Sequence, residues 1–368
     1  MFSLRDKKLA DEIVSKIKKL KVNLKFMHVC GTHQDTLVKN GLDDLLKKCG
    51  VGIGQGPGCP VCVTTPKEIE EMLLLAKAGK IVTTFGDMIN VPGETNSLYS
   101  MRTEGCDVRT VYGIEDAVDI AKKNIDKEVV FMAVGFETTA PTTASVILKN
   151  PPSNFSILSC HRTIPKALKA IIEMGEIKLD GLIEPGHVST IIGTKPYDFL
   201  SKDYHIPQVV AGFEPIDLLM AVWMLVQQVE KDEAFVQNEY TRVVRTEGNI
   251  KAQQAIKKVF EPRDIKWRGF PVIPGSGLML RNKFEEFDAR KKYEDKLEEI
   301  KGKEFLEPKG CRCGELLRGL VVSPFDCPLF GQACTPETPV GPCMVSIEGS
   351  CNIEYRYSKL RELTLKRT

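Results

Sequence analysis

The sequence predicts an α/β fold made of two related parallel-sheet lobes, followed by a cysteine-rich C-terminal domain. From residue 22 to about residue 235, short apolar runs rich in β-forming residues alternate with helical patterns. This alternation favours parallel strands joined by right-handed helical crossovers. Six of the 12 cysteines lie between residues 311 and 351, where no long periodic pattern is present. That segment is therefore assigned to a domain of a different kind.

The predicted elements begin with an amphipathic helix and continue as an alternation of strands and helices. In the first helix, Leu9, Ile13, Ile17 and Leu20 share one face. The predicted strands are residues 23–29, 80–85, 107–112, 128–134, 155–160, 180–185 and 207–213. The predicted helices between them include residues 66–79, 114–124, 165–175 and 215–229.

Three domains are predicted from this pattern: residues 1–125, residues 126–235 and residues 236–368. The tripeptide Gly-Phe-Glu follows a predicted strand at residues 135–137 and again at residues 212–214, which indicates that the two lobes are related. The third domain is expected to begin with a charged helical region and to end in the cysteine-rich tail. Bound metal would supply part of the folding free energy of such a tail.

Composition and charge argue against several classes of function. The chain has 51 basic and 49 acidic residues, a net charge of +2, which gives no reason to expect nucleic acid or an anionic membrane as a partner. The apolar run at residues 218–226 is far too short to cross a bilayer, and the N-terminal residues lack the apolar core of a signal peptide. A cytoplasmic protein is therefore expected.

The cysteines of the tail predict a metal centre. In a reducing compartment, so many cysteines serve metal or redox chemistry more often than structural disulfides. The intervals that separate Cys313, Cys327, Cys334, Cys343 and Cys351 are longer than the paired Cys-x-x-Cys knuckles of a zinc ribbon. They suit a [4Fe–4S] cluster, in which each of four irons takes one thiolate. Bound zinc and unligated thiols are the alternatives.

A second cysteine motif lies in the glycine- and proline-rich sequence GPGCPVC at residues 56–62. Its Cys59 and Cys62 have the spacing of a thioredoxin-like dithiol, and half of a zinc site is the alternative. Thr64 or Thr65 is expected to cap the helix that begins at Pro66. Nucleotide binding by this glycine-rich stretch is not indicated, because no Gly-Lys-Ser/Thr sequence follows it.

Polar residues follow several predicted strands, at the edge where open α/β sheets bind ligands. Cys30 and His33 come directly after the first strand, and either a shared site or a structural role is open for them. The other clusters are FGD at 85–87, GFETTAP at 135–141, His161, PGHVST at 185–190 and Glu214. Helix capping explains any one of these alone, but their repeated placement favours a common cleft.

Taken together, these motifs resemble one family closely, the HypD proteins of [NiFe]-hydrogenase maturation. The resemblance extends in order through nearly the whole chain, and the combination of GPGCPVC with the cysteine-rich tail is specific to it. The matching segments are CGTHQ at 30–34, GPGCPVCVTTP at 56–66, GFETTAP at 135–141, PGHVS at 185–189, and the tail from Cys311 to Cys351.

The resemblance implies a scaffold on which the Fe(CN)2CO unit of the hydrogenase active site is assembled. The implied partners are a small HypC-type chaperone and a HypE-type cyanide donor. By similarity, Cys30 would ligate the transient iron together with a cysteine of the chaperone, and His33 and Glu137 would flank that site. Cys59 and Cys62 would form a redox couple linked to an iron–sulfur cluster, as in ferredoxin–thioredoxin reductase.

The resemblance also implies a [4Fe–4S] cluster in the C-terminal domain. Its spacing assigns Cys313, Cys327, Cys334 and Cys351 as the ligands, with Cys343 and then Cys311 as the alternatives. Gln34 departs from the family pattern, in which an acidic residue is more usual, and this concerns only the polarity around the iron site. Two other functions are compatible with the residues: a free-standing iron–sulfur disulfide reductase, and a zinc-stabilised binding module without redox activity.

Overall fold

The computed structural model describes residues 6–94, 96–321 and 323–365, and its strands form two parallel sheets and a hairpin. The strands are β1 Leu24–His28, β2 Val51–Gln55, β3 Ile81–Thr84, β4 Val108–Thr110, β5 Val129–Gly135, β6 Phe155–His161, β7 Gly181–Pro185, β8 Gln208–Ala211, β9 Val236–Asn238, β10 Phe260–Lys266 and β11 Val272–Leu280. The first sheet has the order β2-β1-β7-β8-β9, and the second has the order β4-β3-β5-β6. The pairs within both sheets are parallel, whereas β10 and β11 pair in the antiparallel sense.

The helices connect these strands and cover the sheets. They are α1 Lys7–Lys19, α2 Gly31–Lys39, α3 Leu42–Lys47, α4 Pro60–Val63, α5 Pro66–Lys77, α6 Leu98–Thr103, α7 Ile114–Lys123, α8 Ala140–Leu148, α9 Ile164–Met174, α10 Gly186–Ile192, α11 Asp198–Tyr204, α12 Pro215–Glu230, α13 Ile250–Val259, α14 Ala289–Lys292, α15 Glu294–Leu297, α16 Cys313–Leu317, α17 Pro342–Val345 and α18 Ser350–Leu365. Short 3-10 helices lie at Gly86–Asn90, Lys195–Tyr197, Asn282–Phe287, Glu298–Ile300 and Pro324–Asp326. Among the described residues, no helix combines the length and the apolar character that crossing a membrane requires.

The predicted α/β class and its two parallel-sheet lobes are confirmed, but the sheets do not follow the predicted boundary at residue 125. The first sheet joins β1 and β2 to β7, β8 and β9, and the second sheet joins β3 and β4 to β5 and β6. The chain therefore leaves the first lobe after β2, builds the second, and returns to the first. Strand pairing is non-local, so a division by position along the chain does not separate the two sheets.

The predicted third domain, residues 236–368, is likewise divided in space. Its first strand, β9, completes the edge of the first sheet, and β11 packs against β6 of the second sheet. Strands β6 and β11 are joined by a hydrogen bond in which Ser159 Oγ donates to the carbonyl of Leu278 at 2.6 Å. The cysteine-rich tail packs mainly on helices, with α18 on α2 and α17 on α4, and it touches the first sheet where Nζ of Lys25 donates to the carbonyl of Gly319 at 3.5 Å.

The predicted N-terminal helix is present as α1 and covers the first sheet by packing on α12. Asp6 caps it by accepting hydrogen bonds from the first-turn N–H groups. Ile13 and Ile17 are buried as predicted, whereas Leu20 lies beyond the end of the helix and is 39% exposed. The helix thus contributes two of its four predicted apolar residues to the buried core.

One large apolar core lies between the two sheets and includes the Cys-x-x-Cys motif. Met27 and Leu182 enter this core from the first sheet, and Val130 enters it from the second. Cys59 and Cys62 belong to the same cluster and are fully buried. The sequence motif is therefore held at the junction of the two lobes rather than on an outer surface.

Candidate metal and redox site

A cavity of about 300 Å³ opens at the carboxyl end of the first sheet, directly beside Cys30. Cys30 follows β1 and is the last residue before α2, so the strand-to-helix turn presents its thiol at this edge. The cavity draws on both lobes and on the tail. Its lining residues are Val29, Cys30, Gly58, Pro60, Phe136, Thr138, Pro185, His187, Val188, Thr190, Ile191 and Glu348.

The thiol of Cys30 is only 7% exposed, and burial raises its pKa to about 11. The backbone N–H groups of His33 and Thr32 lower the pKa of this thiol. The Glu348 carboxylate raises it further. The thiol is therefore protonated at neutral pH. A bound cation would favour the thiolate instead, so metal binding here would release a proton.

The GPGCPVC loop lies directly against Cys30. A Cβ atom on Gly58 would stand 2.2 Å from the backbone nitrogen of Cys30 and 2.2 Å from the carbonyl carbon of Val29. Only glycine permits this approach, because every other residue would place a carbon atom inside backbone atoms that cannot move aside. The glycine therefore fixes the distance between the Cys-x-x-Cys motif and the candidate iron ligand.

Cys59 and Cys62 are joined as a disulfide, with their Cα atoms 5.2 Å apart. Both side chains are 0% exposed, and the N–H group of Cys62 donates to Sγ of Cys59 at 3.1 Å. The pair heads its own short helix, α4, rather than the following helix α5. The predicted cap of α5 is Thr65, which forms a reciprocal capping box with Glu68.

His33 is fully buried behind the turn and is held as a neutral imidazole. Its Nε2 donates to the carbonyl of Gly212 at 2.9 Å, because a carbonyl can only accept. Burial lowers the pKa of His33 to about 3, and the neighbouring His28 lowers it further. Nδ1 of His33 has no hydrogen-bond partner among the described residues. A buried nitrogen with a free lone pair is therefore available three residues from Cys30.

Gln34, the residue that departs from the family pattern, has a defined role in this turn. Its Oε1 accepts a hydrogen bond from Nε2 of His28 at 2.7 Å. Nδ1 of His28 in turn accepts from the backbone N–H of Cys30, at 3.5 Å. Burial lowers the pKa of His28 to about 4, so this imidazole is neutral as well. An amide at residue 34 thus supports the backbone of Cys30 without adding a charge.

Glu137 lies next to the cavity rather than on its wall. Its carboxylate oxygens accept from the N–H of Ile164, at 3.1 and 3.3 Å, and the side chain is buried. Burial raises its pKa to about 8, so this carboxyl group is largely protonated at neutral pH. The adjacent Thr138 lines the cavity. The Gly-Phe-Glu-Thr sequence therefore reaches the candidate site through Phe136 and Thr138 rather than through its glutamate.

The predicted convergence of strand-end residues is found for some of them and not for others. His187 lines the cavity, and its ring stacks on Phe213 with a centroid distance of 3.8 Å. Ser189 is buried instead, with its hydroxyl 3.2 Å from that of Tyr197. His161 lies outside the cavity, and both of its nitrogens have partners within the second lobe. Of these three, only His187 reaches the cavity.

Glu348 is a residue of the cavity that the sequence reasoning missed. It lies in a short segment of the tail that Asp87 holds against the second lobe. Oδ2 of Asp87 accepts hydrogen bonds from Ser346 Oγ at 3.1 Å and from the N–H of Ile347 at 3.3 Å. The absence of a side chain on Gly31 lets Glu348 approach, since a Cβ there would stand 2.5 Å from the Glu348 Cβ. The FGD motif that contains Asp87 was the available signal, but the sequence does not show which segment it holds.

The tail gathers several cysteines around Cys313. Cys313 lies close enough to Cys311 and Cys343 to raise the pKa of both thiols, and burial adds to the increase. Gly341 leaves room for the first two sulfurs: a Cβ there would stand 2.8 Å from Sγ of both Cys311 and Cys313. Cys351 also raises the pKa of Cys343, which places it nearby.

Two of the predicted cluster ligands lie at the edge of this group. Cys334 accepts from the N–H of Val340 at 3.3 Å, and burial raises its pKa, with Cys313 adding to the effect. Cys327 is half-buried and donates to the carbonyl of Gly310 at 3.8 Å. The predicted ligand set therefore stays a prediction, with Cys343 and Cys311 as the alternatives.

The donor set of the tail fits an iron–sulfur cluster in kind and in number. As placed, the described side chains bring no three Cys, His, Asp or Glu residues into an arrangement that would hold a single metal ion. A cube takes each thiolate on a different iron, so its ligands stand farther apart than those around one ion. Thiolates without histidines are the ligands that iron–sulfur clusters prefer.

The tail cysteines adjoin the disulfide through two short helices. Helix α17, which carries Cys343, packs against α4, which carries Cys62. The two cysteines belong to the same buried cluster between the lobes. A path through this packed core therefore connects the tail, the disulfide and the Cys30 cavity.

Comparison with known proteins finds one family model and several curated relatives that cover nearly the whole chain. The family model for HypD, described as "Hydrogenase formation hypA family", matches residues 6–358. A putative hydrogenase expression/formation protein of Methanocaldococcus jannaschii is 51% identical over 366 residues, which cover 98% of this chain and all of the relative. The hydrogenase maturation factor HypD of Cupriavidus necator is 41% identical, with 92% of this chain and 91% of the relative covered. The HypD of Rhizobium leguminosarum bv. viciae is 41% identical, with 97% and 95% covered.

Proposed function

The chain belongs to the HypD family of hydrogenase maturation factors, and we propose that it is the scaffold on which the Fe(CN)2CO unit is assembled. The observation that carries this proposal is the contact between Gly58 and the backbone of Cys30. That contact puts a buried cysteine, open to a cavity of about 300 Å³, next to a disulfide that can store two electrons. The proposed partners are a HypC-type chaperone and a HypE-type cyanide donor.

Cys30 is the proposed ligand of the iron, which is the cargo of the scaffold. On binding, the thiol would lose its proton to solvent, and the metal charge would compensate the burial that now raises the thiol pKa. The cavity beside it leaves space for further ligands, including a cysteine of the chaperone. His33 and Glu137 are proposed to support this position from behind the wall of the cavity.

Cys59 and Cys62 are the proposed electron store for iron ligation. Oxidation of their dithiol to the disulfide releases two electrons and two protons, and reduction takes up the same number. A [4Fe–4S] cluster, when bound, supplies electrons one at a time. Return of the disulfide to the dithiol therefore needs two one-electron steps, with a reduced electron-transfer protein as the external donor.

The proposed holders of the cluster are Cys313, Cys327, Cys334 and Cys351, and Cys343 and Cys311 are the alternatives. The proximity of Cys313 to Cys311 and Cys343, shown by its effect on the pKa of both, supports a centre around Cys313. The packing of α17 on α4 supports electron transfer from that centre to the disulfide.

Burial argues against the alternative of a free-standing disulfide reductase. Such an enzyme needs at least one thiolate that can attack a disulfide of another protein. Both Cys59 and Cys62 are 0% exposed, so a folded substrate has no direct access to either sulfur. A buried couple suits a reaction within the cavity better than exchange with a second protein.

The content of iron, zinc and acid-labile sulfide in protein purified without oxygen tests the proposal. We expect about four irons and four sulfides per chain, with a brown chromophore, and additional iron in protein purified together with the chaperone. Zinc without sulfide would exclude the redox function. A cluster without any further iron, in the presence of the chaperone and an iron source, would contradict the scaffold.

Three cysteine variants assign these irons to their sites. Cys30→Ala should lose the additional iron and keep the iron and sulfide of the cluster. Cys327→Ala and Cys343→Ala form a matched pair within the tail, and only the variant that removes a ligand should lose the brown chromophore. Loss of the chromophore in Cys343→Ala alone would replace Cys327 in the proposed set.

A further inference from the structure

A second cavity, of about 410 Å³, lies at the N-terminal end of α5, on the segment that follows Cys62. It lies apart from the Cys30 cavity, since the two share no lining residue. Part of its wall is apolar, formed by Pro66, Phe270, Phe305 and Leu306. Its polar part is rich in cations, with Lys67, Lys266, Arg268 and Lys303. The cavity thus combines an apolar surface with a concentration of positive charge.

Arg268 supplies a buried cationic group with an unfilled donor. Its side chain is 1% exposed, Nε donates to the carbonyl of Thr64 at 2.8 Å, and Nη1 donates to Glu307 Oε2 at 2.6 Å. Nη2 has no hydrogen-bond partner among the described residues. A buried guanidinium N–H without an acceptor is costly, so an acceptor oxygen in this cavity would be favoured.

The charges around the cavity do not cancel. Two acidic residues line it, but each already has a cation: Glu307 binds Arg268, and Glu304 lies 4.0 Å from Nζ of Lys266. Lys67 and Lys303 are exposed at the rim, and within the described part of the chain neither forms an ion pair. Two positive charges therefore remain available to a ligand.

The start of α5 adds to this positive potential. The helix has 12 residues, and the first-turn N–H of Lys67 has no acceptor within the helix. The aligned peptide dipoles place partial positive charge at this end of the helix. Anions bind at such helix starts when side chains complete the site, as Arg268 and the rim lysines do in this case.

We propose that this cavity binds an organic anion, a carboxylate or phosphate group carried on an apolar body. The anionic group would accept hydrogen bonds from Nη2 of Arg268 and the N–H of Lys67, with Lys303 close by. The apolar body would lie against Phe270 and Phe305. No chemical step is involved, and the site is independent of iron assembly at Cys30.

Calorimetric titration of the intact protein tests the proposal with four probes. Phenyl phosphate and 3-phenylpropionate carry the two candidate anions on an aromatic body, inorganic phosphate lacks the body, and 3-phenylpropanol lacks the charge. We expect at least one aromatic anion to bind, and to bind more tightly than both inorganic phosphate and the alcohol. Which aromatic anion binds better identifies the anionic group as phosphate or carboxylate.

Variants at the rim separate this site from non-specific attraction to cations. Lys67→Gln with Lys303→Gln should weaken the binding of the aromatic anion by about tenfold, since two nearby charges are removed. Lys19→Gln with Lys123→Gln, at exposed positions outside the cavity, is the matched control and should leave the affinity unchanged. Arg268→Lys keeps the positive charge but loses the planar guanidinium with its several N–H donors, so it should also weaken binding. Circular dichroism checks that this variant is folded.

Three outcomes would overturn the proposal. The first is the absence of binding by either aromatic anion at millimolar concentration, and the second is equal binding of the uncharged alcohol. The third is an unchanged affinity in the rim double variant. The measurement needs neither iron nor hydrogenase maturation, so its failure leaves the scaffold proposal standing, and failure of the scaffold leaves this site standing.

Discussion

The two sheets place a histidine and a cysteine at corresponding edges but use them differently. At the end of the second sheet, burial lowers the pKa of His161 to about 4, and its nitrogens have partners in Gly135 and Thr143. After the first sheet, burial lowers the pKa of His33 to about 3, but its Nδ1 has no partner among the described residues. The buried nitrogens of His161 thus both have hydrogen-bond partners, whereas Nδ1 of His33, among the residues that the structure describes, keeps an unpaired lone pair close to the Cys30 cavity.

The repeated Gly-Phe-Glu sequence shows the same difference. In the second sheet, Phe136 stacks on Trp267 at a centroid distance of 5.9 Å. In the first sheet, Phe213 stacks on His187 at 3.8 Å and lies 5.1 Å from the ring of His33. One aromatic ring therefore supports both histidines of the candidate site. The two sheets share a strand-to-helix turn, but its phenylalanine packs on histidines in the first sheet and on a tryptophan in the second.

The largest expected effect comes from replacing the cysteine at each of the two sheet edges with alanine. Cys30→Ala should abolish hydrogenase maturation while leaving the absorbance of the cluster intact, because it removes the proposed iron ligand alone. Cys160→Ala, at the end of the second sheet, should cost only about 1 kcal/mol of stability and leave maturation intact. Hydrogenase activity in cells that lack their own copy of the protein measures both. Normal maturation with Cys30→Ala would remove the distinction between the edges.

The two histidines should separate function from stability. His33→Gln should lower maturation by about 10- to 100-fold, the usual effect of disturbing a group that supports a metal ligand. His161→Gln should instead lower the free energy of unfolding by about 1–3 kcal/mol, because it disturbs a satisfied buried pair. Maturation assays and urea unfolding, performed on both variants, give the comparison. Equal loss of maturation in the two would show that His33 has no special role.

The sequence was sufficient to predict the sheet class and the position of Cys30 between the first strand and the helix that follows it. Periodicity located the long buried strands well, but β2 was missed because Gly52 and Gly54 lower its strand propensity. That strand is held by pairing with β1 over its whole length, from Leu24 with Val51 to His28 with Gln55. Tertiary pairing therefore supplied what local preference did not indicate.

The parts that could not be predicted are those that depend on distant contacts. Nothing in the spacing indicates that β7 pairs with β1 or that Glu348 lies against Gly31. The motifs predict which residues belong to a site, but only the folded chain shows that Thr138, rather than Glu137, lines the cavity. Local sequence therefore predicts which residues follow the strands, but not which of their side chains form the wall of the cavity.

The glutamates of the repeated sequence should differ in their pH dependence. Burial raises the pKa of Glu137 to about 8, so the folded protein retains a proton that the unfolded chain releases near pH 4.5. Between those values the unfolded state binds fewer protons, and the contribution of Glu137 to stability falls as pH rises. We expect the stability of the native protein relative to Glu137→Gln to fall by about 1.4 kcal/mol per pH unit in this window.

Glu214→Gln is the matched control, because it makes the same exchange in the Gly-Phe-Glu of the first sheet. Glu214 is partly exposed to water, whereas Glu137 is buried. Urea unfolding at a series of pH values from 4 to 9 measures both variants. A constant difference between native protein and Glu137→Gln across this range would show that Glu137 is ionised in the folded state.

The smallest expected effect concerns two glycines, one after β2 of the first sheet and one after β3 of the second. Gly58→Ala should lower stability by about 1–3 kcal/mol, because its methyl group would overlap the peptide between Val29 and Cys30. Gly86→Ala follows β3 in the second sheet, where a Cβ would meet no atom within 4 Å, and should have almost no effect. The first variant also moves the disulfide away from Cys30, so maturation should fall with stability. Retention of full maturation despite lost stability would show that iron assembly does not need this contact.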